Sequence, residues 1–234
     1  MSIDEKTGII ATRFVSFTKT GVNAGRIAVL ILVKNIKLII FFRCMKSVIE
    51  KAKAKFFQMV DDFGSDPFRL FPHVFEAEKW ANFMLEKYPR ADKEVVLLSV
   101  WLHDLGHYPV PTEVDHAVRS EQMAKEFLKK QKYPKEKMDA VLHCVRSHRC
   151  RDVMPESFEA KIVAFVDSAS HMTGPMYLEM AGDDKRRNCE LRVYGKIERD
   201  FRDLSSFPEI QSELKGLYVA WKKLIKAYEL IDFK

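Results

Sequence analysis

The chain has 234 residues, of which 47% are hydrophobic and 12% aromatic, with only nine glycines and nine prolines. This length suits one large domain or a domain with an appendage, and the apolar content excludes a chain that is disordered throughout. The net charge of +6 suits anionic small molecules but is too diffuse to indicate nucleic acid binding. The four cysteines form no CxxC pair, which argues against a zinc finger or a disulfide framework and favours a reducing cytoplasm.

Residues 1–44 form an N-terminal extension to which we assign little functional weight. Its apolar runs, 27–33 and 38–42, are separated by Lys34 and Lys37, and each is too short to span a bilayer. No small-residue cleavage site follows them, so a signal peptide fits poorly. Contact with a membrane interface and a natural start at Met45 are the two alternatives for this segment.

From residue 45 onward, apolar residues recur at helical spacing, which predicts an all-α fold with one domain as the simplest count. The predicted helices cover residues 46–62, 71–87, 93–105, 112–130, 134–149 and 159–172. Gly64, Gly106 and the Gly174-Pro175 pair mark predicted helix ends, and Thr112 is a predicted cap. Two or three further helices follow, split around residues 205–208. We expect residues 45–175 to form the core and residues 176–234 to pack on it as C-terminal helices.

The most informative feature is His103-Asp104, which follows the very apolar stretch 95–102. Burying an imidazole beside a carboxylate is costly, and a divalent cation offsets that cost because both groups can bind it. Taken alone, the pair also fits a helix end that simply meets water.

Helix projection at about 100° per residue places more ligand-type side chains on or beside buried faces. His73 and His116 lie on apolar faces of their helices, His148 lies at the edge of one, and Asp167 neighbours another, whereas His143 projects to the surface. Each of them alone fits a satisfied core residue or a helix cap. Five or six inward polar groups together need a shared partner, and a metal centre is such a partner.

His73, His103-Asp104 and Asp167 stand in the order H…HD…D, within the strings LHDLGH at 102–107 and KIVAFVD at 161–167. This arrangement resembles the HD superfamily of metal-dependent phosphohydrolases over about residues 45–172. The resemblance implies an HD-domain helical bundle with additional C-terminal helices. It further implies that His73, His103, Asp104 and Asp167 bind one divalent cation.

Two further histidines, His116 and His148, match positions at which some members of the superfamily add ligands. They would hold either a second metal bridged by Asp104 or a phosphate of the substrate. Asp104 and His116 are the predicted catalytic residues. Asp115 and Glu113 are the other candidates for carrying the proton.

Several residues near these elements are candidates for contacting the substrate. For His107, the two interpretations are a contact with substrate near the metal and a solvent-facing loop residue. For His171, they are a neutral neighbour and an outer partner of the site. Arg119 and Arg146 are the predicted phosphate-binding residues, since a guanidinium fork holds phosphate well. A solvated charge on a helix face is the more ordinary explanation for each arginine alone. Other basic residues lie on the same elements: Arg149, Arg151 and Lys161.

The resemblance implies a metal-dependent phosphohydrolase that cleaves a phosphate ester or anhydride of a small molecule. The resemblance implies a nucleotide as the substrate class. A divalent cation (Mn, Fe, Co, Ni, Zn or Mg) would polarise a phosphoryl oxygen and lower the pKa of a bound water. The alternatives are a di-iron oxygenase of the same fold and a non-catalytic helical module that senses a nucleotide. Retention of all the core ligands argues against the sensing module.

The expected partner is a small phosphorylated substrate, with no specific nucleic acid and no transmembrane segment. The apolar stripe over residues 214–231 has helical spacing. Closure of the core is the favoured role for this stripe, and the face of a homodimer is the alternative.

Overall fold

The computed structural model describes residues 47–108, 113–186 and 192–230. Within these ranges the chain forms nine α-helices and no strand, so the all-α prediction is confirmed. Residues from Ser47 onward form one compact unit. The predictions for the extension 1–44, and those for Thr112 and Ile231, fall outside the described residues.

The helices run in chain order as α1 (Val48–Phe63), α2 (Leu70–Lys87), α3 (Lys93–Leu102), α4 (His116–Lys130), α5 (Lys135–Ser147), α6 (Phe158–Thr173), α7 (Met176–Arg186), α8 (Val193–Asp203) and α9 (Pro208–Glu229). Two short 3-10 helices, Leu105–His107 and Leu204–Ser206, connect α3 to the segment before α4 and α8 to α9. The three C-terminal helices match the upper end of the predicted number.

Side-chain caps fix several helix starts. Ser47, Asp92, Asp115 and Ser157 each accept a hydrogen bond from backbone N–H groups in the first turn of α1, α3, α4 and α6. Because Asp115 is the cap, α4 begins at His116, and residues 113–115, for which the sequence predicts helix, lie before its start. Gly64, with a φ of 76°, ends α1 in the left-handed conformation, as its sequence position predicts.

Helix α3 forms the centre of the bundle. All residues from 95 to 102 are buried, and α3 packs against α1, α2, α5 and α6. A helix that is apolar on every side is stable only when other helices surround it. The Nε1 of Trp101, near its end, donates a hydrogen bond to Glu78 on α2 at 2.9 Å. This packing carries the end of α3, with His103 and Asp104, into the middle of the protein.

The C-terminal helices cover one side of this bundle. Helix α8 packs against α6, and α9 packs against α8. On α9, Leu214 and Ile225 are buried, and Trp221 Nε1 donates to the carbonyl oxygen of Met172 at 2.7 Å. Much of the predicted stripe therefore closes the core, whereas Leu224 is 46% exposed. No described helix combines the length and the apolar character needed to cross a membrane.

Candidate metal centre

Four ligand-type atoms converge where α2, α3 and α6 meet. The Nε2 atoms of His73 and His103 lie 3.0 Å apart. Oδ1 of Asp167 lies 3.2 Å from the first nitrogen and 3.4 Å from the second. Oδ2 of Asp104 lies 3.5 Å from each of the two. We call these four atoms the first donor set.

The spacing of the first donor set fits a bound cation. Ligand atoms about 2.1 Å from an ion stand about 3.0 Å apart along an octahedral edge and about 3.4 Å apart along a tetrahedral edge. The measured separations run from 3.0 to 3.5 Å. Two imidazoles and two carboxylates at this spacing suit a divalent ion such as Mn, Fe, Co, Ni, Zn or Mg.

The other carboxylate oxygen of Asp104 faces three more histidines. Oδ1 lies 3.6 Å from Nε2 of His107, 3.5 Å from Nε2 of His116 and 3.6 Å from Nε2 of His148. The rings of His107 and His116 stack with their centroids 4.0 Å apart. We call Oδ1 and these three nitrogens the second donor set. Asp104 thus belongs to both sets, with one oxygen in each.

His107 reaches the second donor set because α3 ends earlier than its apolar pattern predicts. The helix stops at Leu102 rather than at residue 105, and residues 105–107 form a 3-10 helix. That turn directs the His107 ring back toward Asp104 and leaves its side chain 23% exposed. A contact between His107 and substrate stays a prediction, and the geometry offers ligation as a second role.

Gly106 allows α4 to approach the end of α3 closely. Its N–H donates to Oγ of Ser120 at 2.8 Å. A Cβ at this position would lie 2.2 Å from the carbonyl oxygen of His116 and 2.6 Å from the backbone nitrogen of Ser120. The prediction that Gly106 ends α3 is wrong, because α3 ends four residues earlier, at Leu102. Its physical role is to bring His116 beside Asp104.

Backbone and hydroxyl groups orient the histidine rings. His103 and His148 each cap the end of a helix, and Nδ1 of each donates to the carbonyl oxygen three residues earlier, at 2.8 and 2.7 Å. Nδ1 of His73 lies 2.9 Å from Oγ of Ser170. Because Nδ1 is engaged in each case, Nε2 remains to face the donor sets.

The protonation states of the cluster suit a cation. Burial opposes ionisation of Asp104 and Asp167, but the surrounding imidazoles hold the pKa of both carboxyls well below its usual range. Burial lowers the pKa of His148 to about 4 and that of His116 to about 3, so both rings are neutral at pH 7. Ionised carboxylates and neutral imidazoles are the forms that bind metals.

His103 differs from its neighbours. Burial opposes its protonation, but the two carboxylates beside it raise the pKa of His103 to about 9. A proton on this ring therefore balances part of the carboxylate charge in the absence of a cation. A divalent ion in the first donor set would replace that proton.

Two arginines lie close to the second donor set. Arg149 donates to the carboxylate of Asp115, the cap of α4 directly before His116. After burial, the charges of Arg119 and Arg149 are among the causes that lower the pKa of His107. The sequence places Arg149 among the basic residues near these elements but does not predict that it binds phosphate. Its contact with the α4 cap places its guanidinium group next to His116, where it is paired with Asp115.

Arg146 and Asp115 are engaged elsewhere. Arg146 forms ion pairs with Asp152 and Glu121 in an open groove that His143 also lines. Its contact with substrate stays a prediction that these pairs do not support. Burial opposes ionisation of Asp115, but Arg149 lowers its pKa to about 2. Asp115 is therefore ionised and bound at neutral pH, which disfavours it as a proton carrier.

A further layer of buried side chains lies behind the first donor set. The ring of His171 stacks on that of His73, with centroids 4.6 Å apart and planes 12° apart. Nε2 of His171 lies 3.8 Å from Oδ1 of Asp167, and its Nδ1 lies 3.2 Å from Oδ2 of Asp200 on α8. His171 thus occupies the outer position expected for it. Asp200 was not found from the sequence, because only the packing of α8 on α6 brings it there.

A pocket lies beside His73, between the starts of α2 and α7 and the end of α6. Arg69, Glu76, His171 and Glu179 are among its lining residues. Oε2 of Glu179 is buried with no hydrogen-bond partner. The pocket therefore places both charge signs and an unused acceptor next to the first donor set.

Residues 70–172 match the HD domain family. The match runs from the start of α2 to the end of α6 and includes every residue of both donor sets. This part of the chain is an HD domain, as its motifs predict, and α7, α8 and α9 lie beyond it. No curated protein and no solved structure matches the chain.

Proposed function

We propose that the protein is a metal-dependent phosphohydrolase of the HD type that acts on a small phosphorylated molecule, with a nucleotide as the substrate class. The observation that carries this proposal is the position of Asp104, whose two oxygens face separate donor sets. Paired ions about 3.5–4 Å apart recur in enzymes that catalyse in-line displacement at phosphorus. A carboxylate shared by two ligand clusters is suited to such a pair.

The ligands divide between two ions, with Asp104 common to both. His73, His103 and Asp167 would complete the first site. His107, His116 and His148, whose Nε2 atoms lie 3.5–3.6 Å from Oδ1 of Asp104, would complete the second. When bound, the ions polarise the phosphoryl group and supply hydroxide from water at neutral pH. We thus assign His107 and His116 to ligation, in preference to substrate contact and proton transfer.

The residues around the donor sets would bind and orient the substrate. Arg119 and Arg149 lie beside the second set, where their guanidinium groups would hold phosphate oxygens by charge-assisted hydrogen bonds. Arg149 would exchange its ion pair with Asp115 for such a contact. The pocket beside His73 has room for about one water molecule, so the organic part of the ester would lie outside it. Glu179 would accept a hydrogen bond from a water held there. Burial of the ligands excludes bulk water from the site and strengthens these interactions.

The direct test is hydrolysis of a phosphate-ester panel by protein that is stripped of metal and reloaded with Mn, Fe, Co, Ni, Zn or Mg. We expect activity only with a cation, and a loss of about 100-fold or more in Asp104→Asn, because that residue serves both sites. Asp62→Asn is the matched control, since Asp62 is exposed on α1. Full activity in Asp104→Asn would contradict the proposal.

The same preparation separates the alternative functions. Product formation that stops under anaerobic conditions would favour a di-iron oxygenase, for which the three histidines of the second set are the supporting observation. Nucleotide binding without turnover under any metal would favour the sensing module. We also infer a cytoplasmic setting from the cysteine pattern, and Cys144 and Cys150 are free thiols.

A further inference from the structure

Helix α8 carries a pair of opposite charges beside His171. Nζ of Lys196 lies 3.3 Å from Oδ1 of Asp200 and 3.2 Å from Nδ1 of His171. Tyr177 on α7 donates to Oδ2 of Asp200 at 2.8 Å. Asp200 is 5% exposed and the side chain of Lys196 is 21% exposed, so bulk water screens neither group well. These contacts hold Asp200 in one position.

His171 connects this pair to the first donor set. One ring nitrogen faces Asp200 and the other faces Asp167, while the ring stacks on His73. Two residues of the first donor set therefore touch a ring whose orientation depends on α8. Since α8 lies beyond residues 70–172, this support is not part of the matched HD domain.

The charges of Lys196 and Asp200 also affect the electrostatics of the first donor set. Without the carboxylate of Asp200, the ammonium of the partly buried Lys196 would be an unbalanced positive charge one imidazole away from the site of a cation. Two positive charges in a poorly screened environment repel each other strongly. Burial opposes ionisation of Asp200, but Lys196 and His171 lower the pKa of Asp200, so its negative charge is present at neutral pH.

We propose that Asp200 is a positioning residue for the metal centre, which fixes the ring of His171 against His73 and offsets the positive charge of Lys196. This inference rests on the proposed function only in requiring that a cation occupies the first donor set. It predicts that removing the charge of Asp200 and removing the charge of Lys196 have opposite effects on metal affinity. If Asp200 and Lys196 only packed the core, removing either charge would weaken metal binding.

The test is Co²⁺ binding to the full-length, metal-stripped protein, measured by calorimetry and by the visible absorption of the bound ion. We expect Asp200→Asn to bind Co²⁺ about 10-fold or more weakly, with a changed visible spectrum, as for other residues that orient metal ligands. Lys196→Met should bind at least as tightly as the wild type. The double variant should recover much of the affinity that Asp200→Asn loses, because the charge balance returns.

Glu198→Gln is the matched control. Glu198 lies on the same helix and loses the same charge, but it pairs with Lys222 and Tyr218 on α9. Its Co²⁺ affinity and spectrum should equal those of the wild type. Thermal unfolding without metal shows whether each variant is folded, and Lys196→Met keeps the inference testable if Asp200→Asn does not fold.

Each result has a definite meaning. Wild-type affinity in Asp200→Asn overturns the inference, and so does weaker binding in both single variants with a further loss in the double. A wild-type protein that binds no Co²⁺ overturns the proposed function and the inference together. Opposite shifts in the two variants, in a protein that hydrolyses no phosphate ester, would support the inference and reject the proposed function.

Discussion

Replacing Gly106 by alanine probes the close approach that assembles the second donor set. The new Cβ would lie 2.2 Å from the carbonyl oxygen of His116, whereas ordinary contact begins near 3.4 Å. Both of its nearest neighbours are backbone atoms of α4, so no flexible side chain can move aside. The start of α4 must therefore shift away from the 3-10 helix by about 1 Å.

The energetic cost follows from two contributions. Overpacking in a dense interior costs about 1–3 kcal/mol, and loss of the hydrogen bond from Gly106 to Ser120 costs about 1 kcal/mol. The reduced freedom of the unfolded chain returns about 0.4–1 kcal/mol. We expect a net loss of about 1–3.5 kcal/mol, which lowers Tm by about 2–14 °C in a protein of this size. His116 would move out of the second donor set, while the first set stays intact.

The assay combines thermal unfolding of the metal-free protein with metal content per chain after loading and gel filtration. Gly106→Ala should unfold earlier and retain one ion where the wild type retains two. Gly216→Ala is the control, because Gly216 lies in α9 with nothing within 4 Å of the added Cβ, and alanine should stabilise that helix by about 1 kcal/mol. An unchanged Tm in Gly106→Ala would refute the packing argument. A lowered Tm with two bound ions would refute the link to His116.

Loading with a cation at about 100 times its Kd should raise the free energy of unfolding by about 2.7 kcal/mol, and Asp104→Asn should abolish that gain in a thermal-shift titration. Burial lowers the pKa of His148 to about 4 in the folded metal-free protein. As the pH falls from about 6.5 to 4, His148 therefore becomes protonated in the unfolded chain but stays neutral in the folded protein, which favours unfolding. His148 should account for up to about 3 kcal/mol of the stability lost over that window, and His116, whose pKa burial lowers to about 3, should add to the loss. Urea unfolding of His148→Gln should therefore show a shallower fall, and an equal fall would show that His148 does not contribute to it. Asp92→Ala should cost about 1–2 kcal/mol, since Asp92 caps α3 and pairs with Lys137 at 2.9 Å, and an unchanged urea midpoint would show that neither contact matters.

The positions of His73, His103, Asp104 and Asp167 illustrate what the sequence can predict. Helix periodicity alone turns His73 and Asp167 toward the apolar side of α2 and α6, and the apolar run before His103 predicts a buried helix end. These are local properties of single helices. The structure brings the four side chains together because the helices that bear them pack around α3.

His107 and Asp200 illustrate what the sequence does not predict. The apolar residues up to Leu105 continue the helical pattern, so periodicity extends α3 past its true end at Leu102 and misplaces His107. The cap at His103 and the contact of Gly106 with α4 decide that end, and both depend on tertiary packing. Asp200 forms a local pair with Lys196 on α8, but its contacts with His171 and Tyr177, which come from α6 and α7, have no local signal.

The sharing of Asp104 has a consequence for how the protein would respond to metal supply. An ion bound to one oxygen of this carboxylate would reduce the negative charge offered to the other oxygen, so the occupancy of the two proposed sites would be linked, and the link would be reciprocal. Like charges held that close also repel, which separates the two loading steps. At a low metal concentration only one of the two sites would be occupied, and the second site would bind its ion only at a higher concentration.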